Sequence, residues 1–167
     1  MKKIVVLLAF MSVFSIGCMS LQKTDQALVD KPFQYTFSFD SLKKDVIFDK
    51  SLAWFAETYN SANDVIQLKD KQNGKIIGRG VGEFYCAMYV RKYSYTAKLE
   101  IKDNKARLTF DSYKPMSYMG SNPLSGQSLE VGGMGIDYQE PYDLTKANFD
   151  TLSSKFEKYI RTDESAF

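Results

Sequence analysis

The sequence contains no histidine and only two cysteines among its 167 residues. Histidine is the usual general base near neutral pH and the commonest metal ligand. Its absence excludes Ser-His and Cys-His catalytic pairs and disfavours a zinc site. No other grouping of residues carries a strong catalytic or ligand-binding signature, so we expect no metal, no cofactor and no enzymatic activity.

The chain also lacks an apolar run long enough to cross a membrane. Residues 4–16 carry no charge, are interrupted only by two serines, and follow Lys2 and Lys3. About 13 residues of helix rise about 20 Å, which is less than the ~30 Å hydrocarbon core of a bilayer. This layout is typical of a secretory signal.

The apolar run ends at residues 15–18, which read SIGC, and the chain turns polar beyond them. These residues resemble a bacterial lipobox, with Ser15 where leucine is commonest. The resemblance implies that the signal over residues 1–17 is removed, that Cys18 receives a diacylglyceryl group, and that the new amino terminus is acylated, for example by palmitate. An ordinary secretory signal with a coincidental cysteine is the alternative.

Signal cleavage would leave a chain without net charge. Two of the 22 basic residues and none of the 20 acidic residues lie in residues 1–17, so 20 of each sign remain. Nucleic-acid binding depends on neutralising phosphates and is therefore disfavoured, as it is by export. Once Cys18 is lipidated, only Cys86 remains, which excludes an intramolecular disulfide. Cys86 lies in an aromatic stretch and is predicted to be buried.

Residue periodicity divides the remaining chain into a tether and one domain. Residues 18–31 are polar and lack apolar periodicity, so we predict a lipidated tether that lifts a single domain, residues 32–167, off the membrane. Alternating aromatics predict a first strand from residue 33, and three- and four-residue apolar steps predict helices over 42–60 and 144–161. Turns at residues 73–74 and 103–104 predict hairpins.

These elements predict an α+β domain. An antiparallel sheet of about five strands is covered on one face by two helices, in the order strand, helix, four strands, helix. Gly78, Gly80 and Gly82 fall on one face of a strand and permit the close approach of another element. We expect that face to pack under Trp54, with a binding groove as the alternative.

Part of this pattern resembles a known family. The resemblance covers residues 37–110 and includes residues 51–56 (SLAWFA) and 74–80 (GKIIGRG). It points to a bacterial domain-of-unknown-function family with a TBP-like fold, which occurs largely in exported proteins and lipoproteins. The family has no established activity or catalytic residues, so the resemblance implies a fold and not a function.

Residues 114–143 are rich in glycine, serine, proline, methionine and tyrosine, and predict a long loop. Loops of this length are uncommon in compact domains and are often functional. Exposed aromatics and methionines adapt well to peptides or glycans. The candidate binding residues are Met116, Tyr118, Met119, Tyr138 and Tyr142. An excursion without function is the alternative.

Two classes of function follow from these observations. The leading one is a non-catalytic lipoprotein of the cell envelope, anchored in the membrane through Cys18, which binds a protein, peptide or glycan partner. Met19 and Ser20 lack the aspartate that marks inner-membrane retention in some lipoprotein systems, which favours the outer membrane. The alternative is a small envelope hydrolase that uses a carboxylate cluster of Asp137, Glu140 and Asp143.

Overall fold

A computed structural model describes residues 22–59, 65–86, 88–122 and 124–162. The helices are α1 (Gln26–Val29), α2 (Lys44–Thr58) and α3 (Gln139–Arg161), and the strands are β1 (Phe33–Ser38), β2 (Ile66–Asp70), β3 (Lys75–Cys86), β4 (Tyr89–Lys102), β5 (Lys105–Met116), β6 (Tyr118–Ser121) and β7 (Ser128–Val131). The predicted signal and the lipidation site, Cys18, lie outside the described residues. The predicted order of one strand, a helix, four strands and a helix is confirmed, and α1, β6 and β7 are additional.

The central sheet has five antiparallel strands in the order β1-β5-β4-β3-β2. The predicted turns at residues 73–74 and 103–104 join β2 to β3 and β4 to β5. Gly74 and Asn104 both have positive φ in these turns, at 63° and 61°. Glycine and asparagine accept this conformation with little strain, which explains why these residues stand there.

The period of two along β4 separates a buried face from a solvated one. Tyr93, Tyr95 and Leu99 point into the core and are each at most 3% exposed. The opposite face carries ion pairs between Lys98 and Asp111, at 2.5 Å, and between Arg107 and Glu100. The prediction of a sheet that the helices cover on one face is confirmed.

Both long helices bury an apolar stripe. In α3 the buried positions recur at steps of three and four residues, which places them on one side: Pro141, Thr145, Phe149, Ser153, Phe156 and Ile160. Phe149 stacks on Phe110 of β5, with ring centroids 4.3 Å apart and an angle of 8° between the rings. Trp54 of α2 meets Phe156 edge to face at 5.1 Å. The two helices therefore share one aromatic core with the sheet.

The glycines of β3 allow close packing, but the residues that cover them differ from the prediction. Phe55 lies over Gly78, Tyr95 over Gly80 and Tyr93 over Gly82. The prediction that Trp54 packs on this face is therefore wrong. Two of the three covering rings come from the neighbouring strand, because each tyrosine leans across the sheet toward the glycine directly opposite it.

The prediction of a long loop over residues 114–143 is also wrong in part. β5 continues to Met116, β6 and β7 pair as a hairpin, and α3 begins at Gln139 instead of residue 144. Ser112 has φ 54° beside a register shift between β4 and β5, so the next core residue after Phe110 is Tyr113. The shift inserts one extra residue into β5, which breaks the period-two alternation from which a strand is predicted. Pro141 lies in the first turn of α3, where proline is tolerated.

Buried tyrosine hydroxyls make the stability of the fold sensitive to alkaline pH. Burial raises the pKa of Tyr59 and of Tyr93 to about 12, and it also raises the pKa of Tyr95, whose hydroxyl lies 3.0 Å from that of Tyr59. The unfolded chain loses these protons near pH 10, before the folded chain does.

Below pH 10 these hydroxyls are protonated in both the folded and the unfolded chain, so we expect their titration to leave the free energy of unfolding unchanged. It should fall as the pH rises from 10 toward 12, by up to about 1.4 kcal/mol per pH unit for each tyrosine. Thermal unfolding between pH 8 and 11 measures this. The Tyr93→Phe variant should show a shallower decline, and an identical profile would contradict the assignment.

Candidate functional site

The turn between β3 and β4 exposes apolar side chains. Cys86 pairs with Tyr89 as the last pair of this hairpin, and Met88 in the turn has φ 67°. Tyr85 is 67% exposed, Met88 56% and Val90 38%. Tyr85 pairs with Val90 on the outer face of the sheet, which the helices do not cover. An exposed cluster of this kind is a candidate contact surface.

The β6–β7 hairpin continues from the same end of the sheet. The Tyr118 hydroxyl donates to the carbonyl of Val90, and the Lys92 ammonium lies 4.9 Å from the centre of the Tyr118 ring. Met119 is 68% exposed, and Leu124, in the hairpin loop, is 86% exposed. We call this end of the domain the turn end. It consists of residues 85–91, the β6–β7 hairpin and the first turn of α3.

The exposed apolar side chains of the domain are concentrated in this region. Nine large apolar side chains are exposed within the described ranges, and five of them belong to the turn end: Tyr85, Met88, Val90, Met119 and Leu124. At the opposite end, the β2–β3 and β4–β5 turns expose lysine, aspartate, asparagine and glutamine. The two ends therefore differ in chemistry.

The segment before β1 is attached to the turn end. The Lys23 backbone bridges to Tyr138, the Thr24 amide donates to the Asp137 carbonyl at 2.8 Å, and the Gln139 amide donates to the Gln22 carbonyl at 2.9 Å. Within the predicted tether over residues 18–31, residues 22–24 are therefore paired with the domain. Only residues 19–21 lie between Cys18 and the first described residue, Gln22.

The structure divides the predicted binding residues into two groups. Met116, Tyr118 and Met119 lie at or near the β6–β7 hairpin. Tyr138 precedes α3, and Tyr142 packs in its first turns against Phe33, with ring centroids 5.5 Å apart. The contacts of Tyr138 and Tyr142 are therefore with the amino-terminal segment and with β1, whereas Tyr118 contacts β4.

Cys86 is buried beside an acidic residue. It is 2% exposed, and its sulfur lies 3.7 Å from that of Met134. Burial raises the pKa of the Cys86 thiol, and the neighbouring Glu140 carboxylate raises it further. Both effects keep the thiol protonated near neutral pH, so Cys86 is a packing residue and not an activated nucleophile.

The three carboxylates of the alternative hydrolase are placed around the start of α3. Asp143 accepts a hydrogen bond from the side-chain amide of Gln139 at 2.9 Å, and Glu140 lies beside Cys86. Asp137 is exposed, and its backbone carbonyl pairs with Thr24. In the part of the chain that the structure describes, no group of three or more acidic or cysteine side chains is placed to hold a metal ion.

Sequence reasoning missed Tyr85, Met88 and Val90 because it predicted hairpin turns only at residues 73–74 and 103–104. The β3–β4 turn contains no glycine, proline or asparagine, which are the residues that usually mark a hairpin. A signal was nevertheless present, since the face of β3 that carries Lys75, Arg79 and Glu83 also carries three apolar or aromatic residues, Ile77, Val81 and Tyr85. An exposed aromatic on this solvated face indicates a candidate contact surface.

The family assignment follows from residues 33–114. These residues match the domain of unknown function DUF4468, which is described as having a TBP-like fold. This chain carries a DUF4468 domain. The matched range runs from β1 into β5, so β6, β7 and α3 lie beyond it. No curated protein matches the chain.

Two solved structures are similar to this DUF4468 chain. A TBP-like protein from Parabacteroides distasonis ATCC 8503 superposes with a TM-score of 0.57 at 13% identity, covering 80% of this chain and 94% of the other. A DUF4468 family protein from Bacteroides ovatus ATCC 8483 gives a TM-score of 0.49 at 12% identity, covering 87% and 100%. The first of these similarities shows that the fold is TBP-like, and it shows no more than the fold.

Within the described residues, no helix combines the length and the apolar content that crossing a bilayer would need.

Proposed function

We propose that the protein is a lipid-anchored, non-catalytic module of the bacterial cell envelope, with the outer membrane as its location. The observation that carries this proposal is the lipobox-like run SIGC that ends at Cys18, and the position of Gln22 indicates how the domain would be held. The Gln22 carbonyl accepts from Gln139 at the turn end, only four residues after Cys18. A chain acylated at Cys18 would therefore hold the domain close to the membrane by its most apolar end.

Acylation would give this chain a stable attachment to the membrane. A single acyl chain binds a membrane weakly and reversibly, whereas the diacylglyceryl group and the amino-terminal acyl chain together bind stably. The apolar stretch over residues 4–16 is too short to serve as the anchor itself. In this proposal Cys18 is the attachment point, and Cys86, which is buried, is not.

Replacing Cys18 with serine is expected to abolish membrane association. The full-length wild-type protein should gain the mass of the lipid groups and partition into detergent, because only a thiol at the lipobox accepts the diacylglyceryl group. The Cys18→Ser protein should stay in the aqueous phase. Intact-mass spectrometry and detergent phase separation measure both properties.

The matched control is Cys86→Ser, which removes the second cysteine and should partition as the wild type does. A wild-type protein that stays water-soluble without added mass would refute the anchor and make the domain a free secreted module.

The hairpin β6–β7 is the surface that we assign to a partner, and we expect that partner to be a protein. Met119 and Leu124 are the most exposed apolar side chains in the described residues. Neither side chain offers a strong hydrogen-bonding group, which glycan recognition would need, whereas protein interfaces bury methionine and other apolar side chains at their centres.

Crosslinking in the native envelope tests this assignment. A photoreactive amino acid at position 124 should capture a discrete protein. The same group at Val46 of α2, which is 43% exposed, should not, because that site lies outside the hairpin. Equal capture at both positions, or none at position 124, would remove the hairpin from the proposal.

A further inference from the structure

We propose that the β3–β4 turn contacts the bilayer directly, with Tyr85, Met88 and Val90 in the boundary between headgroups and acyl chains. This inference rests on the proposed lipid anchor at Cys18 and adds an orientation to it. In this proposal the exposed apolar turn lies against the surface of the membrane in which the protein is anchored.

The first step is the reach of the chain. Four residue steps separate Cys18 from Gln22, and a fully extended chain spans at most about 14 Å over four residues. A free tether over residues 18–31 could have extended to roughly 45 Å. Because residues 22–24 pair with residues 137–139, most of that length is not available to lift the domain away.

The second step is the path from Gln22 to the turn. Gln22 pairs with Gln139, and the next residue, Glu140, lies beside Cys86. Cys86 in turn pairs with Tyr89 across the β3–β4 turn. The point where the chain leaves toward Cys18 and the apolar turn are therefore at the same end of the domain.

The third step is the chemistry of the turn. Tyrosine has an apolar ring and a polar tip and is enriched where a protein meets the bilayer boundary. Met88 and Val90 add apolar area to the turn. The Arg91 guanidinium donates to the Gly132 carbonyl at 2.7 Å, which links the turn to the segment after β7.

The charges around the turn balance. Arg91 and Lys92 are accompanied by Glu83 and Glu140. Binding through apolar side chains alone should require no anionic lipid and should withstand high salt, because screening weakens only charge interactions. The contact is therefore expected in vesicles of pure phosphatidylcholine.

The experiment uses the full lipoprotein, purified with its acyl groups verified by mass and reconstituted in phosphatidylcholine vesicles with or without brominated acyl chains. Bromine quenches only a tryptophan that reaches the bilayer. We expect Tyr85→Trp emission to fall at least twofold in brominated vesicles, in both low and high salt. Trp54, which is 3% exposed, provides the background signal.

The matched control is Gln72→Trp, in the exposed β2–β3 turn at the opposite end, whose emission should be the same in both vesicles. An acylated protein in which Tyr85→Trp is not quenched would overturn the turn contact while leaving the anchor intact. A protein without acyl mass would overturn the anchor and this proposal together. Quenching at both positions would overturn the proposed orientation.

Discussion

Replacing Phe149 with alanine is expected to destabilise the domain by about 3–5 kcal/mol, the range for removing a buried aromatic ring. Phe149 is 1% exposed and stacks on Phe110. Its ring also lies 5.1 Å from that of Phe33 and 5.0 Å from that of Tyr95. Truncation would therefore leave a cavity where α3, β1, β4 and β5 meet. Urea denaturation, followed by the fluorescence of Trp54, measures the loss.

The control for this prediction is Leu124→Ala, which removes a large apolar side chain that is 86% exposed. It should change the free energy of unfolding by less than about 0.5 kcal/mol. If Phe149→Ala cost no more than Leu124→Ala, the aromatic cluster would not be the centre of the core.

The fold was predictable where one periodicity runs without interruption. Tyr93, Tyr95, Ala97, Leu99 and Ile101 alternate with polar residues along β4, and all five are buried. Helix α3 repeats its apolar residues at steps of three and four, which is enough to assign both the element and its buried face. Local sequence determines these features because each depends on the geometry of a single element.

Prediction failed where distant residues determine the local structure. The α2 helix begins at Lys44 and not at the predicted residue 42, and the Lys44 amide donates to the side chain of Asp103, 59 positions away, at 2.8 Å. The irregularity at Ser112 prevented the prediction of the second half of β5. Before it the buried apolar residues of β5 have even numbers, and after it the next core residue, Tyr113, has an odd number. Neither effect is visible in the period of one segment.

The candidate site was predictable only in its chemistry. Methionine and tyrosine drew attention to Tyr118 and Met119, but Val90, whose carbonyl accepts a hydrogen bond from the Tyr118 hydroxyl, comes from another hairpin. The attachment of Gln22 to Gln139 is made through backbone groups, which every residue carries. Sequence therefore gave no sign of which end of the domain the amino-terminal segment would occupy.

Replacing Gly80 with alanine is expected to destabilise the domain by about 2–3 kcal/mol, although alanine is usually the better residue within a strand. A Cβ at position 80 would overlap the ring of Tyr95, which is 3% exposed. That ring cannot move aside easily, because Phe110 and Phe149 pack against it at 5.6 and 5.0 Å. Thermal and urea unfolding of the variant measure the cost.

The control for Gly80→Ala is Gly132→Ala, because no atom lies within 4 Å of a Cβ at position 132 and its φ does not require glycine. This variant should be within about 0.5 kcal/mol of the wild type. A Gly80→Ala protein as stable as Gly132→Ala would mean that Tyr95 does not press on β3. If the packing is as described, Gly80→Ala should cost less when Tyr95 is also replaced by leucine, because the shorter side chain leaves room for the added methyl group.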